Sequence, residues 1–206
     1  MDAGESRLLP PEVDAAAAAV LREVEAGAPW PASVSRVEVV LLPKPKGQPG
    51  DRRPVCLLPA LYRLWAAARR GAVDRWRAGW APVDLCSGAL ELPWRLAAAV
   101  LVAEEAGEPL AGIAFDFQKA FDTVGLSLLA VVLERAGWPA AIRRPLLAAY
   151  GHPRLVREAG VLGRPWAPRS GIIPGCPLAV AALATVMAPW RRRLQAMGLR
   201  RPPLCR

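Results

Sequence analysis

Apolar and polar positions alternate along this chain with two different periods. In PEVDAAAAAVLREVEA (11–26) an early proline, an alanine-rich body and Gly27 just past the end predict a helix. SRVEVVLL (35–42) is rich in valine and leucine and predicts a strand, followed by the Pro/Gly loop PKPKGQPGD (43–51). From 57 to 80, Leu58, Leu61, Leu64 and Trp65 recur at helical spacing with the arginines off that face. A second long helix is expected over 91–107, ending at Gly107, and then a strand PLAGIAFDF (109–117). Leu126, Leu129 and Leu133 restore the helical period up to a stop at Gly137, and a short helix follows over 139–151. RLVREAGVLGRPW (154–166) predicts a hairpin turning at Ala159–Gly160, and a Gly/Pro loop leads to a last helix over 179–198. This order is neither strict βαβ alternation nor an all-helical bundle, so the expected class is α+β.

Composition narrows the picture. At 206 residues and 53% hydrophobic, the chain can bury a sizeable core, while 22 prolines and 17 glycines imply many breaks between short elements. The net charge is +9 and the only lysines are Lys44, Lys46 and Lys119, so the excess is carried by arginine. Arginine's planar fork suits phosphate, which fits a polyanionic partner. The abundance of Ala, Arg, Pro, Gly and Trp reads equally well as a biased codon supply. Cys56, Cys86, Cys176 and Cys205 form no C-x-x-C pair and His152 is the only histidine, which argues against a structural zinc site. No signal peptide is read at the start, so a reduced intracellular compartment, nuclear or cytoplasmic, is expected. The longest apolar stretches fall short of the roughly 18 to 20 residues that cross a bilayer, so no membrane partner is expected.

The candidate chemistry centres on GIAFDFQKAFDTVG (112–125), where Asp116 closes an apolar run and Asp122 follows Phe121. A carboxylate at the end of a buried strand must be solvated, paired or bound to a cation. A strand-end aspartate suits Mg²⁺, a hard cation that takes oxygen ligands and keeps waters and phosphates in its other positions. A solvated strand end for Asp116 and a helix-start carboxylate for Asp122 are the plainer alternatives.

The wider string FDFQKAFDTV (115–124) resembles the F-x-D-x-x-K-A-F-D-x-V block of reverse transcriptases of non-LTR retrotransposons and their relatives. Two further blocks stand in the family's order: LLPKPKGQPGDRRPVCLLPALYRLWAAARR (41–70) is similar to the fingers segment, and SGIIPGCPLAV (170–180) to the later G-x-x-Q-G-C-P-L-S block. The resemblance spans about residues 35 to 198. It implies a partial right-hand polymerase, helix-rich with a small antiparallel sheet: an N-terminal helical segment (1–34), a fingers-like region (35–108) and a partial palm-like region (109–206). It implies RNA-directed DNA polymerase activity in the complete family site, with two Mg²⁺ ions, dNTPs and an RNA template carrying a DNA primer. Asp116 then matches the first metal-binding, catalytic aspartate, and Phe121 the ring beneath the incoming sugar that excludes a 2′-hydroxyl. Arg53 and Lys44 match the arginine and lysine that approach the triphosphate, and Gly175 the close backbone approach beside the nascent base pair.

Two positions, one segment and one missing motif depart from the family. Pro174 stands where the family has the glutamine of its nucleotide pocket, and Ala179 where it has serine. CSGALELPWRL (86–96) lacks the family's G-F-R-x-x-R-S pattern. The F/Y-x-D-D pair that completes the two-metal site has no counterpart, and no Asp or Glu follows Glu158. The expectation is a fingers and partial-palm segment that does not polymerise alone; the alternative is a non-catalytic basic nucleic-acid-binding module.

Overall fold

In the computed structural model the described residues are 10–43, 48, 51–80, 91–111, 113, 115–158 and 160–198, less the side chains of 91, 92 and 95. Helix α1 (Pro11–Ala26) begins with proline at its first position, where the missing N–H costs nothing. A strand β1 (Val37–Pro43) and a strand β2 (Arg52–Leu57) flank the Pro/Gly loop, and α2 (Ala60–Gly79) follows. Then come α3 (Glu91–Ala106), the single turn α4 (Ala120–Thr123), α5 (Leu126–Arg135) and α6 (Ala140–Tyr150). The strands β3 (Arg154–Glu158) and β4 (Val161–Leu162) form the expected hairpin, and α7 (Ala179–Ala196) closes the described chain. Helices and one small sheet make the class α+β, as expected.

The sheet itself is not antiparallel throughout, as the resemblance had implied. Its order is β2-β1-β3-β4, and the central pair β1 and β3 runs parallel, Val37 beside Arg154 through Val40 beside Arg157. β2 and β4 are each antiparallel to their neighbour. The parallel pair arises because α2, α5 and α6 intervene between the two strands and return the chain to the same end of the sheet.

A second correction concerns residues 109–117. They carry a strand-like sequence but adopt no ladder among the described residues. Strand propensity reflects fit to a pleated, half-buried surface, and a segment without a pairing neighbour gains nothing from it. A third concerns α2, whose buried face is Tyr62, Trp65, Ala66 and Val73, while Leu64 is 40% exposed. The large aromatic rings win the interior because each removes more area from water than a leucine does.

The chain divides into two compact units, Met1–Ala81 with Lys119–Val186, and Pro82–Gln118 with Met187–Arg206. In the first, Trp30, Tyr62 and Trp65 pack edge-on or tilted at centroid separations of 5.5 to 5.6 Å. Around them Val37, Leu129, Leu133, Ile142, Leu146, Ile172, Ile173 and Leu178 form one continuous core. The indole N–H groups there are satisfied: Trp30 donates to the Pro145 carbonyl at 2.9 Å, and Trp65 to Glu25 Oε1 at 2.7 Å. Trp138 donates to the Thr185 hydroxyl at 3.2 Å, and that hydroxyl in turn donates to the Ala181 carbonyl at 2.8 Å, so both buried groups are satisfied. In the second unit Phe115 and Phe117 stand edge-on to Trp190 at 5.0 and 5.1 Å.

Gly27, Gly107 and Gly137 end their helices where the sequence places them. At Gly137 the φ of +76° lets the Trp138 amide reach back to the Leu133 carbonyl at 3.0 Å, so the stop also delivers Trp138 into the core. No helix among the described residues is long and apolar enough to cross a membrane.

Leu128 and Leu129 are neighbours on α5 with opposite fates, 52% and 0% exposed. Leu129→Ala is expected to cost about 2–5 kcal/mol and Leu128→Ala no more than about 0.5 kcal/mol. Urea midpoints of the two variants measure the difference, and equal midpoints would contradict the packing described.

Candidate functional site

The sequence-expected residues fall into three places. Lys44 lies outside the described residues. Asp116 is exposed, in the irregular segment of the second unit, between Phe115 and Phe117. Arg53, Phe121, Asp122 and Gly175 belong to the first unit, where a set of contacts ties distant segments together.

The unit boundary falls between Gln118 and Lys119. Lys119 has φ +50°, the one left-handed non-glycine among the described residues, and its carbonyl accepts from the amides of Asp122 and Thr123 at 2.9 and 3.1 Å. That conformation costs of order 1 kcal/mol for a lysine and is held by the turn it starts. Asp122 sits in the first turn of α4, whose N-cap is Lys119.

Phe121 is partly buried against the core. Its carbonyl accepts from the Ile172 amide at 2.8 Å, the Val124 carbonyl accepts from Gly171 at 2.9 Å, and the Leu126 amide donates to Arg169 at 3.0 Å. The short segment 121–126 is therefore laced to the loop 169–172 by main-chain bonds, which no side-chain substitution removes directly. Ile172 and Ile173 point fully into the core and anchor the loop from below. Gly175 has φ +85° and open space where a Cβ would stand, so it is exposed backbone at the turn before α7.

Helix α2 reaches the same loop through sulfur. Cys176 Sγ lies 3.1 Å from the Tyr62 hydroxyl and accepts from the Leu178 amide at 3.4 Å. Tyr62 and Tyr150 are both fully buried, and the Tyr150 hydroxyl makes no hydrogen bond. Burial pushes both phenols well above the ordinary tyrosine range, and the neighbouring Cys176 adds to the shift. Cys56 on β2 is half-buried; burial raises its thiol, the Arg154 charge opposes this, and Asp122 adds to it. Arg53 lies exposed on β2 opposite Leu42. On the sheet surface Arg157 donates to Glu38 at 2.9 Å, and this bond holds the Glu38 carboxyl below its usual value.

Together these contacts make a wall in which the chain around 56–62, around 121–126 and around 169–178 meets. The wall has bonded backbone, one exposed glycine turn, a half-buried aromatic ring and, from β3, the Arg154 guanidinium on the Gly171 carbonyl. Metal chemistry is a different matter. Among the described residues no group of three or more His, Cys, Asp or Glu could hold an ion. Asp116 is a single carboxylate in the other unit, so the described residues do not fit the pair of Mg²⁺ ions that the resemblance implies.

Tyr62, Tyr150, Cys56 and Arg154 were not singled out by the sequence reading. Tyr62 was within reach of it, since it lies one residue from the assigned apolar face of α2. Nothing local marks the others, whose roles come from partners far along the chain. No family model and no curated protein matches this chain.

The chain's two tyrosines both belong to this buried cluster, so the phenolate absorbance reports on it alone. A raised folded pKa means that the neutral phenols stabilise the fold below the ordinary value of about 10, and that this contribution is lost as pH rises through the higher folded value. The melting temperature should therefore fall above about pH 10, and Tyr62→Phe and Tyr150→Phe should each flatten that limb. Phenolate absorbance appearing before the melt would count against the burial. At neutral pH Tyr62→Phe should cost about 0.5–1.5 kcal/mol and Tyr150→Phe less, because its hydroxyl has no bond to lose.

Proposed function

We propose that this chain is the fingers and partial-palm portion of a non-LTR-type reverse transcriptase, and that the wall in its first unit is the nucleotide-facing side of an RNA-directed DNA polymerase. One observation carries the reading. The three sequence blocks that resemble the family lie far apart in the chain, and part of each meets at this wall. The fingers-like block arrives through Tyr62, the aspartate block through Phe121, and the third through Ile172 and Cys176. A resemblance by coincidence of composition gives no reason for the three to adjoin.

In this reading the residues divide the work of binding. The Phe121 ring, fixed by its backbone bond to the loop, meets the sugar of an incoming nucleotide and disfavours a 2′-hydroxyl. Gly175 lets the backbone approach the base pair without a side chain in the way. Arg53 grips triphosphate oxygens, for which a guanidinium is well shaped. A polymerase needs two Mg²⁺ ions held by several carboxylates, together with dNTPs and a primed RNA template. Asp116 supplies one carboxylate, and one leaves two ions without a fixed geometry. Recognition without turnover is the activity expected of this chain.

A non-catalytic basic binder is the second reading, favoured by the net charge of +9. The two differ in what they recognise. A basic surface takes any polyanion, whereas a nucleotide wall distinguishes deoxyribose from ribose.

The deciding experiment uses the chain with a primed RNA template whose primer ends in a dideoxynucleotide. Binding should weaken at least about tenfold between about 50 and about 200 mM salt, as expected when several phosphates are neutralised. The dNTP matching the template should tighten the complex several-fold more than its ribonucleotide, Phe121→Val should abolish that difference, and Arg53→Ala should weaken both nucleotides. With an extendable primer no label should be incorporated. Salt-sensitive binding with no response to nucleotide would leave the basic module, and incorporation abolished by Asp116→Ala would overturn the binding-only assignment.

A further inference from the structure

We infer that Arg154 is a positioning residue, which fixes the Ser170–Cys176 loop against Phe121 and so sets how far the ring can move from the sugar. The inference rests on the polymerase reading above.

Arg154 opens β3, and its own main chain is held from two sides. It pairs with Val37 across the parallel ladder, and with Trp166 it exchanges bonds of 2.9 and 3.0 Å. The base of the side chain is therefore rigid. From there Nη2 donates to the Gly171 carbonyl at 3.0 Å. The guanidinium lies so close along Gly171 that a Cβ there would stand 3.1 Å from Nη1 and 3.4 Å from Nη2. Gly171 also has φ +105°, which a side chain rarely adopts, so both the backbone and the close approach call for glycine.

The other side of the same peptide segment faces Phe121. Gly171 donates to Val124, and Ile172 donates to Phe121 itself. A shift of the loop at Gly171 must therefore stretch the bonds that hold the Phe121 backbone. Arg154 is the charged end of this chain of contacts, with Cys56 on β2 and Tyr150 at the end of α6 close enough to feel its field. Packing alone does not explain an arginine there. Its Nε is buried without a partner, a cost that a methionine of similar length would avoid. What methionine lacks is the donor to Gly171.

The test compares Arg154→Met and Arg154→Lys in the whole chain, with two readouts. The first is hydrogen exchange at the Gly171 and Ile172 amides, referred to the Leu133 amide as a measure of global stability. The second is the ratio of affinities for the matching deoxy- and ribonucleotide in the primed complex, a ratio that does not depend on the fraction folded. Arg154→Met should speed exchange at both loop amides by about tenfold relative to Leu133, the size of one lost hydrogen bond, and shrink the ratio toward one. Arg154→Lys, which keeps a donor within reach of the Gly171 carbonyl, should restore most of both. Exchange at 171 and 172 that changes only in step with Leu133, or a ratio untouched by Arg154→Met, overturns the inference. A wild-type chain without nucleotide discrimination, in which Arg154→Met still loosens the two amides, overturns the polymerase reading and reduces Arg154 to a tether of the loop.

Discussion

The parallel pairing of β1 with β3 is the constraint on which the first unit depends. It begins with the Val37 amide donating to the Pro153 carbonyl at 3.0 Å and continues to Val40 beside Arg157. The strands so joined lie more than a hundred residues apart in the chain, and closing that distance costs entropy that the ladder alone does not recover. The core makes up the difference. Val37 and Val39 on β1 are buried, and the helices between the strands bury Trp65, Leu129, Leu133 and Leu146. Once the pair forms, β2, β1, β3 and β4 lie on one sheet. Arg154 then holds a fixed position from which it meets Gly171.

The core is unusually dependent on amphipathic rings. Indole and phenol side chains bury large areas and carry a donor that must be accounted for in the interior. Here the donors bridge elements instead of being local: Trp30 bonds α6, Trp65 bonds Glu25 on α1, Trp76 bonds the Ala136 carbonyl, and Trp138 bonds α7. Arg69 joins Trp65 on the same Glu25 carboxylate, so a half-exposed ion pair gains a geometry that an isolated surface pair lacks. Each ring thus does two things, filling volume and setting the angle at which two helices meet. The Tyr150 hydroxyl, buried without a bond, is the exception.

Much of the helical fold could be read from spacing, because each helix carries its own period and its own stop. Gly27, Gly107 and Gly137 stand at the ends of α1, α3 and α5, where a left-handed residue closes the last turn. What could not be read was pairing. β2 follows a proline-rich loop and contains Pro54, yet forms an edge strand because β1 is there to receive it. The described residues of 109–117 have better strand composition and form no ladder, and Phe115 and Phe117 pack on the Trp190 ring instead. The same limit governs the site. Phe121 and Gly175 could be picked out from motifs, whereas Arg154, Cys56 and Tyr150 owe their places to contacts that no local pattern contains.

The sequence block around Asp116 is continuous, but the physical object it belongs to is not. Asp116 and Phe121 are five residues apart, and the boundary between compact units passes between them, at the left-handed turn of Lys119. Every bond that holds the wall lies on the Lys119 side of that boundary: Ile172 to Phe121, Gly171 to Val124, Arg154 to Gly171, Tyr62 to Cys176. The wall therefore owes nothing to the Asp116 carboxylate for its own geometry. A carboxylate that takes no part in the bonds of the wall is free to be judged by its chemistry alone.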